Sequence, residues 1–98
     1  MHTTTVEEVK ARLSAGEPLN LLDVREAGER EEYNIGGTHL PMSNIMNFET
    51  EVIDHLKDQE LIVYCRSGNR SQQACMFLEQ CGFTNTYNLA GGMNEWRK

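Results

Sequence analysis

The chain has 98 residues, enough for one modest hydrophobic core, and its 39% hydrophobic content excludes a disordered chain. The net charge of −6 argues against general nucleic-acid binding, because such binding needs lysine and arginine to neutralise phosphates. No apolar run approaches the ~20 residues that span a bilayer, and no secretory signal is visible. We therefore expect a single domain over residues 1–98, in the cytoplasm and not in a membrane.

The first part of the chain predicts a helix followed by a strand. Thr5 and Glu8 match the capping-box pattern that marks the start of a helix. Apolar residues then recur at helical spacing until Gly16 and Pro18, which supply the stop. The stretch LNLLDV, residues 19–24, is short and apolar and ends in a charge, so it predicts a buried strand.

The middle of the chain is more polar. The acidic stretch REAGEREEY predicts a short helix that Gly28 interrupts or delays, and the loop IGGTHLP is expected to contain a brief strand near residues 38–40. Asn47 is a candidate helix cap. The helix that it would begin has an apolar stripe at positions i, i+4 and i+8, formed by Phe48, Val52 and Leu56.

The last part of the chain repeats the alternation of strand and helix. ELIVYC, residues 60–65, is the clearest strand, and a helix is predicted from Ser71 to a stop at Gly82. TNTYNL predicts a last strand, and GGMNEWRK predicts a glycine turn that leads into a final helical turn. Because strands alternate with helices over short connections, we predict parallel strand pairing and a three-layer α/β sandwich.

The segment CRSGNRS follows the strongest strand and has the composition of an anion-binding loop. In open α/β sheets ligands gather at the carboxyl ends of strands, and Cys65 occupies that place. Gly68 allows a backbone turn that a side chain would block, so the loop can point N–H groups inward at the start of the next helix. The candidate binding residues are Arg66, Ser67, Gly68, Asn69, Arg70 and Ser71.

The charges around Cys65 predict a reactive thiolate. Arg66 and Arg70 have no acid between them, and together with the positive helix end they would favour the charged sulfur and lower its pKa. The alternative is a buried cysteine at a strand end beside ordinary surface arginines, because free cysteine often acts as a small hydrophobic residue. The coincidence of strand, glycine, arginines and helix start favours a nucleophile.

Four segments resemble the single-domain rhodanese-like sulfurtransferases: DVRE at 23–26, CRSGNRS at 65–71, GF at 82–83 and LAGGMNEW at 89–96. The resemblance is collinear and covers nearly the whole chain. It implies a rhodanese fold, with a mostly parallel five-stranded sheet and helices on both faces. One departure lies in YNIGGTHLP, where Asn34 and Gly36 stand in place of the histidine and proline usual in the family.

The resemblance also implies a two-step sulfur transfer. Cys65 would attack the outer sulfur of a donor such as thiosulfate, releasing sulfite and leaving a cysteine persulfide. An acceptor would then take the sulfur: cyanide in an assay, and a thiol or a protein sulfur acceptor in the cell. The N–H groups of the loop would stabilise the persulfide anion, and Arg66 and Arg70 would hold the sulfonate end of the donor. No metal or other cofactor is implied.

Three other functions fit parts of the pattern. A persulfide carrier would use the same cysteine and differ only in its acceptor. A non-catalytic interaction module is disfavoured because the cysteine is present. A phosphatase related to the dual-specificity cell-cycle enzymes would have five residues between its cysteine and arginine, whereas four lie between Cys65 and Arg70 and make a smaller pocket.

Other candidate residues of the site have structural alternatives. Asp23 is expected either to orient an arginine near the loop or to cap the next helix. Arg25 would either add to the positive field or form a structural salt bridge, which would contribute little if it were exposed. Ser67 and Ser71 would donate hydroxyl hydrogen bonds to the sulfur or the donor, with a helix cap as the alternative for Ser71.

The remaining cysteines and histidines are assigned to packing or to solvent. Cys75 and Cys81 fall on the predicted helix after the loop, where core packing is expected, with a resolving role for Cys75 as the alternative. No C-x-x-C pair or zinc-finger spacing is present, so no metal site is predicted. His39 is expected in a loop and His55 on the solvated side of a helix, and neither has a visible partner.

Overall fold

The computed structural model describes residues 1–98 and contains one five-stranded sheet. Its strands are β1 (His2–Thr4), β2 (Leu21–Asp23), β3 (Thr38–His39), β4 (Leu61–Tyr64) and β5 (Thr86–Leu89). Across the sheet they lie in the order β1-β5-β4-β2-β3, and every neighbouring pair is parallel. The carboxyl end of β4 is therefore central, flanked by the carboxyl ends of β2 and β5.

Short helices connect the strands. They are α1 (Val6–Ser14), α2 (Ala27–Glu32), α3 (Met42–Met46), a 3₁₀ helix (Glu51–Leu56), α4 (Asn69–Gln80) and α5 (Gly92–Trp96). Gly28 lies in the first turn of α2 and does not interrupt it. None of the helices has the length and the apolar composition that crossing a bilayer would require.

Two hydrophobic clusters lie on opposite faces of the sheet, because successive residues of a strand point to opposite sides. Leu61 and Val63 of β4 belong to the cluster that includes residues of α3, the 3₁₀ helix and α4. Ile62 and Tyr64 belong to the cluster that includes residues of α1 and α5. All four residues of β4 are buried, as expected for a strand covered on both faces. The predicted three-layer sandwich with a five-stranded parallel sheet is confirmed.

The edge strand β1 has no clear signal in the sequence. Its three residues, HTT, are all polar and too few to show the alternation of apolar and polar residues that marks a strand. They come directly before the N-cap residue of α1. Thr5 caps α1 as predicted, since its hydroxyl accepts a hydrogen bond from the Glu8 amide at 3.1 Å. The Glu8 carboxylate does not complete the capping box, because it accepts a hydrogen bond from the Thr4 hydroxyl at 2.9 Å.

The helix predicted to begin at Asn47 is wrong. Asn47 is the residue that ends α3, and Phe48 then adopts a left-handed backbone with φ of +58°. Phe48 and Val52 are 51% and 62% exposed, so they form no buried stripe. The chain instead makes a 3₁₀ helix, in which the buried residues Ile53 and Leu56 are three positions apart, as the tighter 3₁₀ period requires.

Candidate active site

Cys65 lies directly after β4, and its sulfur is held by the start of α4. The Cys65 Sγ accepts hydrogen bonds from the Gly68 amide at 3.1 Å and from the Ser71 amide at 3.4 Å. It also lies 3.4 Å from Ser71 Oγ, where either atom can be the donor. Only 1% of Cys65 is exposed. The turn therefore surrounds a nearly buried thiol with N–H and O–H groups.

The tight turn into α4 depends on Gly68. Its φ of +101° is left-handed, and a Cβ there would come within 3.3 Å of the Gly91 nitrogen. Gly68 is the N-cap of α4, so Asn69 and Arg70 lie in the first helical turn and Ser71 is not the cap that the sequence suggested as an alternative. The Ser71 amide is one of the unpaired N–H groups at the helix start, and it is satisfied by the sulfur.

Two opposing effects set the pKa of the Cys65 thiol. Burial raises it, because a protein interior disfavours the charged sulfur. Hydrogen bonds from the Ser71 hydroxyl and from the amides of Ser71, Gly68 and Ser67 lower it, and the resulting pKa is below the ordinary value of cysteine. The arginines are not among the largest of these causes, although the Cys65 thiolate is one of the charges that raise the pKa of Arg70, so the two groups do interact. The main causes of the lowered pKa of Cys65 are the loop amides and one hydroxyl group.

Ser71 is held by a residue that the sequence analysis did not single out. Its hydroxyl donates to Asn88 Oδ1, and both side chains are buried. Asn88 lies on β5, next to β4, and its only signal was a polar residue near the end of the stretch TNTYNL. Ser71 has a single hydroxyl proton, so it can donate to a thiolate only when that proton is not donated to Asn88 Oδ1. Asn88 therefore controls the hydroxyl that contacts the sulfur.

The glycine turn after β5 lets α5 approach the backbone of Cys65. Gly92 has φ of +52°, and a Cβ on it would collide with the Cys65 carbonyl and lie 2.8 Å from the Arg66 carbonyl. The Met93 amide donates to the Cys65 carbonyl at 2.9 Å. The Asn94 amide donates to the Arg66 carbonyl, also at 2.9 Å. These contacts hold in place the backbone that carries the thiol.

The two loop arginines share an acid that comes from α2. Arg70 donates two hydrogen bonds to the Glu29 carboxylate, at 2.8 and 2.9 Å, and Arg66 Nε lies 3.8 Å from the same group. The hydrogen bond from Arg70 lowers the pKa of Glu29 to about 2, so this carboxylate is ionised at neutral pH. The expected pair of unopposed cations beside the thiol is corrected by this contact, which joins residues distant in the sequence.

Asp23 and Arg25 form a buried ion pair after β2. Asp23 accepts a hydrogen bond from the Arg25 backbone amide at 3.0 Å. The Arg25 guanidinium donates one hydrogen bond to each carboxylate oxygen of Asp23, both at 2.9 Å. Asp23 thus orients an arginine, whereas Glu26 and not Asp23 stands at the N-cap of α2. The structural salt bridge expected for Arg25 is present and it is buried, because the residue is 4% exposed and its guanidinium also donates to the Tyr33 carbonyl at 2.6 Å.

A cavity of about 270 Å³ lies beside the loop. Its lining includes Arg25, Glu29, Glu32, Tyr33, Arg66 and Arg97. Among the predicted site residues, Cys65, Gly68 and Ser71 are buried together around the sulfur. The side chains of Arg66, Ser67 and Asn69 are exposed outside this ring. The site therefore combines a buried sulfur with a charged and accessible rim.

The other cysteines and histidines lie outside this ring. Cys75 packs in the core as expected, and burial raises the pKa of its thiol to about 11. Cys81 is half-buried at the end of α4. His55 is exposed, but His39 has a partner that the sequence did not reveal, since its Nε2 lies 2.7 Å from the Arg25 carbonyl oxygen. No group of histidine, cysteine and acidic side chains is arranged to hold a metal ion.

The loop that departs from the expected family pattern is ordered by its own contacts. Asn34 accepts a hydrogen bond from the Gly36 amide and donates one to the Arg30 carbonyl, both at 2.9 Å. Gly36 has a φ of +89°, and its carbonyl accepts a hydrogen bond from the Tyr64 hydroxyl at 3.0 Å. Asn34 and Gly36 therefore shape this loop without contacting the thiol.

Comparison with known proteins places the chain among related sequences and structures. A family model described as "Rhodanese-like domain" matches residues 5–98. The chain is 40% identical over 89 residues to the Bacillus subtilis protein named "Putative sulfurtransferase YtwF", covering 90% of this chain and 82% of that protein. It is 32% identical over 93 residues to "Putative sulfur carrier protein YrkF" of the same organism, covering 94% of this chain but only 49% of that protein.

A solved structure gives the same likeness in three dimensions. The crystal structure of a rhodanese-like domain protein from Staphylococcus aureus superposes with a TM-score of 0.84 and 28% sequence identity. The match covers 98% of this chain and 91% of that one. The likeness therefore extends over the sheet and both helical layers.

Proposed function

The chain belongs to the rhodanese-like domain family, and on that premise we propose that it transfers sulfur through a persulfide on Cys65. Relatives named for sulfurtransferase and sulfur-carrier roles support sulfur transfer in general. The observation that carries the proposal is the set of contacts around Cys65 Sγ, which accepts hydrogen bonds from the Gly68 and Ser71 amides and lies 3.4 Å from the Ser71 hydroxyl. Such donors favour the thiolate, which is the nucleophilic form of cysteine.

In the first half-reaction, with thiosulfate as the proposed donor, the Cys65 thiolate attacks the outer sulfur. A new S–S bond forms, the S–S bond of the donor breaks, and sulfite leaves with the bonding electron pair. The product is a cysteine persulfide with one negative charge on its terminal sulfur. The N–H groups at the start of α4 would stabilise that charge, as preorganised donors do for developing anions.

In the second half-reaction, an acceptor attacks the terminal sulfur of the persulfide. Cyanide would give thiocyanate, and a thiol or a protein acceptor would give a new persulfide. The Cys65 thiolate is the leaving group in this step, and a thiol of low pKa leaves faster. The hydrogen bonds that lower the pKa of Cys65 would therefore assist both halves of the cycle.

The exposed rim would meet the donor before the sulfur reacts. Arg66 is 65% exposed at its side chain and would attract the anionic end of the donor, with Ser67 and Asn69 as neighbouring polar contacts. The buried ion pair of Asp23 and Arg25 would fix the position of Arg25, which lines the cavity beside the loop.

Turnover of thiosulfate and cyanide by wild type and Cys65→Ser tests the proposal. We expect Cys65→Ser to lose at least about 10³-fold in thiocyanate formation, because the covalent step has no nucleophile. Cys81→Ser, which removes a half-buried thiol outside the site, should retain activity. Far-UV circular dichroism of both variants verifies the fold. Undiminished turnover in Cys65→Ser would contradict the proposal, and faster release of phosphate from an aryl phosphate would favour a phosphatase.

A persulfide carrier is the second candidate, and the similarity to YrkF favours it. A carrier would form the Cys65 persulfide readily but pass the sulfur slowly to cyanide. Single-turnover measurements separate the two roles, because they time the loading and the discharge of the persulfide independently. Loading that is fast and cyanide discharge that is slower by orders of magnitude would indicate a carrier whose acceptor is another protein.

A further inference from the structure

The carboxylate of Glu29 lies between the two arginines of the Cys65 loop. It accepts hydrogen bonds from both terminal nitrogens of Arg70, and Arg66 Nε lies 3.8 Å from one of its oxygens. The same carboxylate also accepts the backbone amide of Glu26 at 3.0 Å, so it is anchored on its own helix. Only 21% of the Glu29 side chain is exposed. The negative charge is therefore fixed in position and cannot swing into solvent without breaking these contacts.

This arrangement leaves Arg70 poorly available to a ligand. A guanidinium recognises a carboxylate or a sulfonate best through two parallel N–H bonds, and Glu29 already occupies that geometry. Arg66 makes no close hydrogen bond to the carboxylate and remains mostly exposed. The cluster of Arg66, Arg70 and Glu29 has a net charge of +1, whereas the loop sequence alone suggests +2.

We propose that Glu29 is a specificity-determining residue, which competes with the anionic end of the sulfur donor for Arg70 and disfavours dianionic donors. This inference rests on the proposed sulfur-transfer function. A dianion such as thiosulfate meets twice the repulsion from a fixed carboxylate that a singly charged donor meets, because Coulomb energy scales with the product of charges. Glu29 makes no hydrogen bond to Cys65, so it acts through Arg70 and through its field.

Thiosulfate and methanethiosulfonate form a matched pair of donors for the test. Each has an outer sulfur bonded to an oxidised sulfur, but the first carries two negative charges and the second carries one. With either donor the Cys65 thiolate forms a bond to the outer sulfur, the S–S bond of the donor breaks, and sulfite or methanesulfinate leaves with the electron pair. Because the reacting atoms are the same, a difference between the donors reports their charge.

Glu29→Gln removes the charge and keeps a hydrogen-bonding group beside Arg70. We expect kcat/KM for thiosulfate to rise about 3- to 10-fold, mainly through a lower KM, and kcat/KM for methanethiosulfonate to rise by a smaller factor. Glu29→Asp, which retains the charge, should stay close to the wild-type preference between the donors. Glu31→Gln is the matched control, because Glu31 is exposed on the same helix and pairs with neither arginine; it should change both values less than about two-fold.

Binding without turnover tests the same inference independently. In a Cys65→Ser background, Glu29→Gln should tighten thiosulfate binding in isothermal titration calorimetry, and Arg70→Gln should remove the gain. The role of Glu29 would be overturned if Glu29→Gln left the thiosulfate affinity unchanged. It would also be overturned if Glu29→Gln raised kcat/KM by the same factor for thiosulfate and for methanethiosulfonate. If wild type shows no turnover that depends on Cys65, the proposed function fails, while the calorimetry still decides whether Glu29 opposes a dianion.

Discussion

Cys65 is 1% exposed, yet its sulfur accepts hydrogen bonds from two amides and contacts a hydroxyl group. Burial on its own raises the pKa of a thiol and makes it inert, as it does for Cys75. At Cys65 the hydrogen bonds outweigh burial, so the pKa falls below its ordinary value. At the scale of single residues, what separates a reactive cysteine from a core cysteine here is the set of donors within reach of the sulfur.

Ser71→Ala should raise the pKa of Cys65, because it removes the largest of the interactions that lower it. The thiolate forms as pH rises through the pKa, so the rate of iodoacetamide alkylation at Cys65 should reach half its maximum at a higher pH than in wild type. At neutral pH the variant should therefore react more slowly, and at high pH the two rates should converge. Peptide mass spectrometry over a pH series measures these rates.

Ser67→Ala is the matched control for that experiment. The Ser67 side chain is exposed and its hydroxyl makes no hydrogen bond to the sulfur, so its profile should overlie that of wild type. Asn88→Ala should shift the profile in the opposite direction, because it removes the acceptor that takes the Ser71 hydroxyl proton and frees that proton to be donated to the sulfur. If Ser71→Ala and wild type titrate alike, the hydroxyl does not support the thiolate.

The sequence predicted those residues of the site that are contiguous along the chain. Cys65, Gly68 and Ser71 belong to one strand–turn–helix segment, where local backbone rules determine which groups meet. Glu29 and Asn88 were missed because they reach the site from other elements, and only tertiary packing brings them there. For the same reason the sequence overstated the free charge of the arginines.

At the scale of elements, the segments with a clear local signal were predicted within a few residues of their bounds. α1 and α4 carry helical periodicity, and β2, β4 and β5 are short stretches, partly or wholly apolar, between turn residues. β1 has three mostly polar residues and exists because its backbone pairs with β5. The helix predicted after Asn47 is wrong because Phe48 and Val52, which have helical spacing in the sequence, are exposed, while the buried residues follow the 3₁₀ period.

The approach of α5 to the loop yields a prediction about Gly92. Gly92→Ala should destabilise the chain by about 2 kcal/mol or more, because its left-handed φ and its contact with the Cys65 backbone both exclude a side chain. It should also lower sulfur-transfer activity, because the hydrogen bond from the Met93 amide to the Cys65 carbonyl would be lost. Urea unfolding and turnover measure the two effects.

Gly28→Ala is the control for that substitution. Gly28 lies in α2 with open space around the position of a Cβ, so alanine should be neutral or stabilising by up to about 1 kcal/mol. Equal stabilities for Gly92→Ala and Gly28→Ala would show that the turn tolerates a side chain and that α5 does not fix the loop.

At the scale of the whole molecule, the strand order explains where the site forms. β4 lies between β2 and β5, so the residues near the ends of these strands, Cys65, Asp23 and Asn88, come together at one edge of the sheet. The alternation of strands and helices predicted this parallel arrangement from the sequence. The number of strands came from the family resemblance, because β1 has no signal of its own.

We propose that residues 1–98 unfold as one domain. Both hydrophobic clusters share the central strand β4, so loss of one should expose the other. Urea unfolding followed by fluorescence of Trp96, which packs on one cluster, should therefore coincide with unfolding followed by far-UV circular dichroism. Separate transitions from the two probes would show that the two faces of the sheet unfold independently.

The most direct test of the account is the intact mass of the protein after treatment with thiosulfate and removal of the excess. Wild type should gain the mass of one sulfur atom, peptide mapping should assign it to Cys65, and cyanide should remove it. Cys65→Ser retains Cys75 and Cys81 and should gain no sulfur. A wild-type protein that takes up no sulfur, or takes it up on Cys75 or Cys81, would contradict the proposal that Cys65 carries the transferred atom.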